Sequence, residues 1–265
     1  MQLEVDGHQT YAATGGRPFD PAKPAAIFIH GAGMDHSYWQ LQSRWFAWHG
    51  WSVLAVDLPG HGRSGGEPLT GIAGMAAWIG RLMDAAGVAT ATLIGHSMGA
   101  AVALEAASLL TGRVDRLALI GVSETIPVHP ALLKAAEAND PKAYDLMTAW
   151  GHGASAKMGR NKVPGIWMLG GARALLARNK PGVLYAGLKA CDDWQTGVVA
   201  AGRIDCPTVV VCGTQDVMTP AKKGKALAAR IADCRQVVIR DCGHMMMQEA
   251  PDAALDALIE SLSPV

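Results

Sequence analysis

Three side chains in this sequence have the types and the chain order that serine-based acyl transfer requires. Ser97 is the centre of a G-x-S-x-G match, Gly95-His96-Ser97-Met98-Gly99. A serine hydroxyl is a weak nucleophile until a base takes its proton, and we assign that role to His244. The imidazole needs a carboxylate that fixes its tautomer and stabilises the imidazolium, and Asp216 is the candidate. The order Ser97, Asp216, His244 therefore predicts nucleophilic catalysis through an acyl-enzyme.

A second acidic residue competes with Asp216 for this role. Glu124 follows the preceding strand-like run, whereas Asp216 follows the penultimate one. The sequence favours Asp216 and leaves Glu124 as the alternative. Three further histidines lie in motif loops, and we interpret them as loop packing or hydrogen bonding: His30, His61 and His96.

Acyl transfer also needs N–H donors aimed at the developing oxyanion. The residue after the nucleophile, Met98, should supply one backbone N–H. The loop His30-Gly31-Ala32-Gly33 should supply the other from Ala32, because the flanking glycines let its backbone turn inward. The glycine-rich run 57–64 permits tight turns nearby, and we interpret it as structural.

These residues need a scaffold that brings strand ends together, and the hydrophobic pattern predicts one. Short β-branched or aliphatic runs end in Gly, Asp or His and alternate with helical patterns, which is typical of a mostly parallel sheet covered by helices. Residues 2–13 predict an antiparallel hairpin. Further strands are predicted at 26–29, 52–56, 90–94, 117–120, 208–211 and 236–239. Helices are predicted near 37–49, 71–86, 98–110, 221–231 and 250–262.

The alternation stops between about 123 and 203, where the composition is helical and rich in Trp and Met. We predict a helical cap here, with Trp150, Trp167 and Met168 as candidate substrate contacts. Between 157 and 180 there are six basic residues and no acidic one, namely Lys157, Arg160, Lys162, Arg173, Arg178 and Lys180. This run is either a solvated helix face or a rim that attracts an anionic substrate.

Composition excludes several classes of partner. Lys plus Arg and Asp plus Glu both number 23 in 265 residues, so no charge excess favours nucleic acid or an anionic membrane. The five cysteines lack the spacing of a disulfide framework or a zinc site. The N-terminal residues do not resemble a signal peptide and no apolar run reaches membrane-spanning length, so we expect a cytoplasmic protein.

The motifs together resemble the α/β-hydrolase superfamily across nearly the whole chain. The matching segments are 30–33, 57–64, 95–99, 213–220 and 243–244. The resemblance is closest to small bacterial esterases, monoacylglycerol lipases and carbon–carbon-bond hydrolases. It implies the α/β-hydrolase fold: an eight-stranded, mostly parallel sheet flanked by helices, with a helical cap inserted after strand six. We therefore divide the chain into a core, 1–122 and 204–265, and a cap, 123–203.

From these residues we expect a serine hydrolase that cleaves carboxylic esters of small to medium apolar substrates. This chemistry needs neither a metal nor an organic cofactor, and its partner is a small-molecule ester. The same residues also serve hydrolysis of vinylogous diketones, thioesters or lactones, and perhydrolysis. A slow-turnover ligand receptor is the alternative of another class. The sequence leaves the oligomeric state open.

Overall fold

The computed structural model describes residues 1–159 and 167–262. Within them one eight-stranded sheet has the order β1-β2-β4-β3-β5-β6-β7-β8. The strands are β1 (Gln2–Val5), β2 (His8–Ala13), β3 (Ala25–Ile29), β4 (Ser52–Val56), β5 (Ala91–His96), β6 (Val114–Ile120), β7 (Thr208–Gly213) and β8 (Cys234–Ile239). β2 pairs antiparallel with β1 and β4, and the other neighbours pair parallel. The predicted mostly parallel sheet of eight strands is confirmed.

The central strands are apolar on both faces. β3, β4, β5 and β7 are buried at every position. A parallel sheet covered by helices on both sides has no solvent face, so its strands are continuous apolar runs rather than alternating ones. β8 lies at the edge, and there three of the six positions are partly buried while Arg235 and Val238 are exposed.

Helices connect and cover these strands. A 3-10 turn at His36–Trp39 precedes the first of them. The helices of the described chain are α1 (Gln40–Trp48), α2 (Ile72–Ala85), α3 (Met98–Leu109), α4 (Pro130–Glu137), α5 (Lys142–Gly151), α6 (Ala154–Lys157), α7 (Met168–Ala177), α8 (Val183–Asp192), α9 (Gly197–Ala201), α10 (Ala221–Ala228), α11 (Met246–Glu249) and α12 (Pro251–Leu262). α1 packs on α12 and α2 packs on α3, and with α10 these helices cover the sheet.

Helices α4 to α9 all lie between β6 and β7, where the sequence predicts the helical cap. No strand occurs in this interval among the residues the structure describes. α8 and α9 contact α3, the helix that follows Ser97, so this layer rests on the core beside the site. We retain the division at 122/123 and 203/204 as a proposal.

The predicted element boundaries differ from the observed ones by up to three residues, at strand ends as well as helix ends, and β6 begins at Val114 rather than at 117. The helix predicted near 221–231 ends at Ala228. The helix expected from 250 is preceded by a separate turn, α11, and starts at Pro251, a residue whose fixed φ suits the first helical position. No helix in the described ranges has the length and apolar character that crossing a bilayer requires.

Candidate active site

Ser97 lies on the turn between β5 and α3. Its backbone has φ 54° and ψ −120°, an unfavourable conformation for a residue with a side chain. Such strain costs roughly 1–3 kcal/mol and persists only where the surrounding structure enforces it. The Ser97 N–H donates to the carbonyl of Ile120 at 2.9 Å, which fastens the turn to the end of β6. The fold therefore holds this hydroxyl at the carboxyl edge of the sheet.

Two glycines make this turn sterically possible. A Cβ on Gly95 would fall far inside van der Waals contact with the Gly99 carbonyl. A Cβ on Gly99 would do the same against the carbonyl of Ile29 in β3. The glycines of the motif are thus required because three backbone segments approach each other closely around Ser97.

His244 and Asp216 form a buried hydrogen-bonded pair. Nδ1 of His244 donates to Oδ2 of Asp216 at 2.7 Å, and both side chains are essentially inaccessible to solvent. The Asp216 carboxylate also accepts from the Met218 N–H at 2.8 Å and from the Thr219 N–H at 2.9 Å. The Thr219 hydroxyl donates to Oδ2 at 2.7 Å. This carboxylate therefore holds the proton of His244 on Nδ1.

The environment keeps Asp216 ionised. Burial alone would raise the pKa of its carboxyl. The nearby His244 and the hydrogen bonds from His244 and Thr219 outweigh burial, so the pKa lies below its ordinary value. An ionised Asp216 stabilises an imidazolium when His244 takes up a proton.

The other nitrogen of His244 is available for chemistry. Nε2 is buried and has no hydrogen-bond partner among the described residues. The ring packs against the His96 ring, with centroids 4.7 Å apart, and a Cβ on Gly121 would lie 3.0 Å from its Cε1. His96 directly precedes Ser97, so the imidazole lies beside the turn. No hydrogen bond joins Ser97 to His244 among the described residues, and catalytic hydrogen bonds of this kind often tighten only in the substrate complex.

The alternative acid, Glu124, is engaged elsewhere. Nε of Arg230 donates to Oε1 of Glu124 at 3.1 Å, in a partly exposed ion pair. The structure therefore brings Asp216, and not Glu124, to His244.

Ala32 and Met98 lie together at the site. A Cβ on Gly187 of α8 would be 3.0 Å from the Ala32 Cβ and 3.1 Å from the Met98 sulfur. Neither backbone N–H has a hydrogen-bond partner within the described ranges. Met98 is the first residue of α3, so its N–H lies at the positive end of that helix. Both amides are available for a developing oxyanion.

The three other motif histidines make hydrogen bonds with the backbone. Nε2 of His30 accepts from the Leu58 N–H at 3.1 Å, and His96 donates through Nε2 to the carbonyl of His244 at 3.0 Å. His61 bonds to the Pro59 carbonyl at 3.0 Å. Burial lowers the pKa of all three, to about 3 for His61 and His96. They are therefore neutral and join loops around the site, as predicted.

The run 57–64 is held together by its aspartate. Asp57 accepts from the backbone N–H of His36 at 2.7 Å and from that of Arg63 at 2.9 Å. Asp35, His36 and Asp57 form the one grouping of potential metal-ligand atoms in the described chain. Because backbone donors already occupy the Asp57 oxygens, this arrangement is explained by loop structure.

An apolar pocket of about 260 Å³ opens above Ser97. The side chains around Ser97 belong mostly to the helical layer and to the segment directly after β6. They are Ala32, Ile126, Pro127, Val128, His129, Leu132, Met147, Trp150, Leu188, Cys191, Val217 and Met218. None of the described residues that line it is Asp, Glu, Lys or Arg.

The structure corrects two of the three expected substrate contacts. Trp150 lines the pocket, but Trp167 and Met168 do not. They border a separate surface cavity of about 320 Å³ next to Tyr38, and Trp167 is 77% exposed. Residue type alone suggested Trp167 and Met168. Position after a strand end is the better indicator, because residues 126–129 follow β6 and line the pocket.

The basic run lies away from this pocket as far as it is described. Arg160 and Lys162 fall outside the described residues. Arg173 pairs with Asp145 at 2.6 Å, and none of the four described members of the run lines the Ser97 pocket.

Comparison with known proteins agrees with this fold. The sequence profile of the Alpha/beta hydrolase family matches residues 26–257. The (E)-2-((N-methylformamido)methylene)succinate hydrolase of Acinetobacter baylyi is 26% identical over 249 residues, 88% of each chain. A pimeloyl-[acyl-carrier protein] methyl ester esterase of Aromatoleum aromaticum is 28% identical over 252 residues, 87% of this chain and 94% of that protein.

Solved structures show the same fold. An enol-lactonase from Burkholderia xenovorans LB400 superposes with a TM-score of 0.88 at 24% identity over 100% of both chains. A thermophilic esterase from Thermogutta terrifontis has a TM-score of 0.84 at 21% identity, over 98% of this chain and 96% of that one.

The buried histidines predict sensitivity to acid. The unfolded chain takes up protons at histidine below a pH of about 6.5, whereas folded His61 and His96 stay neutral down to about pH 3, so stability falls as the pH drops. Between pH 6.5 and 5 we expect each to lower the free energy of unfolding by on the order of 2 kcal/mol, measured by urea denaturation. His61→Gln should flatten this dependence, and the exposed control His8→Gln should not. An unfolding free energy that stays constant from pH 7.5 to 5 would contradict the neutral assignment.

Proposed function

The chain belongs to the alpha/beta hydrolase family, and from that premise we propose that it is a serine hydrolase of carboxylic esters with small to medium apolar groups. The observation that carries the proposal is the buried Asp216–His244 pair, placed beside a strained Ser97 at the base of an apolar pocket. The similarity to a methyl ester esterase over most of both chains supports an ester as substrate.

In the proposed mechanism Ser97 attacks the ester carbonyl while Nε2 of His244 takes its proton. The Ala32 and Met98 N–H groups stabilise the oxyanion, and Asp216 stabilises the imidazolium. The intermediate collapses as His244 gives its proton to the leaving alcohol, which leaves an acyl-enzyme. Water then attacks this ester while His244 accepts its proton, and the second intermediate collapses as His244 returns that proton to the Ser97 oxygen, which releases the carboxylic acid. Each group acts through an atom that the structure leaves available.

The pocket supports a small, apolar and neutral substrate class. Its volume of about 260 Å³ lies near the small end of typical ligand pockets, roughly 300–1,000 Å³. Its wall offers aliphatic, Met and Trp surface and no charged partner among the described residues. Burial of a carboxylate without a partner is costly. We therefore place neutral esters ahead of anionic ones, and a lactone as a cyclic ester uses the same machinery.

Replacement of the nucleophile tests the core of this proposal. Ser97→Ala should lower kcat by roughly 10³- to 10⁶-fold with an unchanged urea midpoint, because the hydroxyl forms the covalent bond. A p-nitrophenyl ester assay measures the rate, and a fluorophosphonate probe should label only the unmodified protein. Steady turnover distinguishes an enzyme from a receptor, which would release a single burst. Equal labelling of Ser97→Ala would refute the assignment.

A pair of matched amide substitutions tests the acid. Asp216→Asn should lower kcat by about 10⁴-fold, because the amide favours the wrong histidine tautomer and cannot stabilise the imidazolium. Glu124→Gln removes the same charge from a carboxylate that faces Arg230, and should leave kcat within about twofold, since exposed ion pairs contribute little. The reverse ranking in steady-state kinetics would require Glu124 in the triad.

Substrate charge tests the pocket and the basic run together. The kcat/KM for p-nitrophenyl butyrate should be at least about tenfold higher than that for p-nitrophenyl hemisuccinate, whose acyl chain has the same length. A tenfold ratio corresponds to about 1.4 kcal/mol, which we attribute to burial of an unpaired carboxylate. Both should respond alike to ionic strength between 0.1 and 1 M. A hemisuccinate that reacts faster, and slows as salt screens the charges, would instead assign the run 157–180 to substrate attraction.

A further inference from the structure

Glu249, the last residue of α11, binds the backbone on both sides of His244. Its Oε2 accepts from the Gly243 N–H at 3.1 Å, and its Oε1 accepts from the Met245 N–H at 3.2 Å. Oε2 also accepts from the Gly153 N–H at 2.8 Å, in the turn between α5 and α6. One half-buried carboxylate thus joins the histidine loop to the helical layer.

The same turn holds both loops of the buried pair. The carbonyl of Gly151 accepts from the His244 N–H at 2.9 Å and from the Met245 N–H at 3.1 Å. Three residues on, the Ala154 N–H donates to Oε1 of Gln215, the neighbour of Asp216, at 2.8 Å. Residues 151–154 are therefore bonded to the histidine loop and to the aspartate loop.

This junction has no room for side chains. A Cβ on Gly153 would lie 2.6 Å from the Gln215 amide oxygen and 3.0 Å from Oε2 of Glu249. A Cβ on Gly243 would collide with the Gly153 nitrogen and lie 2.8 Å from Oε1 of Glu249. The close backbone approach is what lets one carboxylate reach three amides.

The His244 ring itself explains why its loop needs these backbone hydrogen bonds. Asp216 at 2.7 Å and the Thr219 hydroxyl at 3.2 Å both contact its Nδ1, while Nε2 must stay unbonded to accept a proton, so the ring is held from one side only. The direction of Nε2 therefore depends on where the backbone places the residue. The N–H groups of Gly243, His244 and Met245 are all bonded at the junction, two of them to Glu249.

We propose that Glu249 is a positioning residue for His244, which holds Nε2 in line with Ser97 and fastens the 151–154 turn to the histidine loop. This inference rests on the proposed serine mechanism. A displacement of about 1 Å at a catalytic group can cost roughly 10²-fold in rate. Loosening the loop should therefore reduce the chemical step more than substrate binding, which the separate apolar pocket provides.

Glu249→Gln tests the inference at nearly constant shape. The amide has one carbonyl oxygen, so its NH₂ group must face at least one of the three donors and that bond is lost. We expect kcat per active site to fall about 10- to 100-fold, with KM within about threefold. Fluorophosphonate labelling should slow in parallel, because it needs the same base, yet reach full occupancy. Glu260→Gln, which removes a carboxylate from the exposed ion pair with Arg235, is the matched control and should retain the original kcat.

A milder variant covers the case in which Glu249→Gln does not fold. Glu249→Asp keeps the charge and both oxygens but shortens the reach by one methylene, and should lower kcat per labelled site about 3- to 10-fold. A purely structural role would instead lower the urea midpoint and leave kcat per labelled site unchanged, which would overturn the inference. Failure of the unmodified protein to label at Ser97 or to cleave esters would mark failure of the proposed function itself.

Discussion

At the turn that carries Ser97, the start of α3 lies against the end of β3. The backbones approach so closely there that a side chain at Gly95 or Gly99 would collide with a carbonyl oxygen. This close contact accompanies the unusual backbone of Ser97, leaves the first amide of α3 without a partner among the described residues, and places Ala32 near Met98. The parallel sheet makes it possible, because β3, β5 and β6 all end at this edge. Site geometry here follows from backbone packing more than from side-chain choice.

The second set of constraints concerns two ionisable side chains that the fold shields from water. Asp216 is buried, and only its bonds from His244, Met218 and Thr219 compensate for lost hydration. Nε2 of His244 is also buried, but it has no hydrogen-bond partner among the described residues. A site of this kind holds its histidine through backbone amides, and the bonds to Gly151 and Glu249 provide that support.

Much of the fold could be predicted from sequence because buried parallel strands leave a strong mark, namely short β-branched runs that end in small or polar residues. The order Ser97, Asp216, His244 likewise follows from the strands they succeed. The substrate contacts could not be predicted in the same way: Trp167 and Met168 have suitable side chains, but which side of the helical layer they face depends on tertiary packing. Glu249 gave no signal, since its partners are backbone amides, one of them 96 positions away in the chain.

Gly187 connects the helical layer to the two residues that we propose as oxyanion donors. A methyl group at this position in α8 would lie 3.0 Å from the Ala32 Cβ and 3.1 Å from the Met98 sulfur, so both residues would have to give way by a few tenths of an ångström. A helical layer exchanged with that of another protein to alter substrate preference would therefore shift Ala32 and Met98 unless it brought a glycine to this point. In such an exchange position 187 would stay glycine, and the residues of the helical layer that line the pocket could be varied.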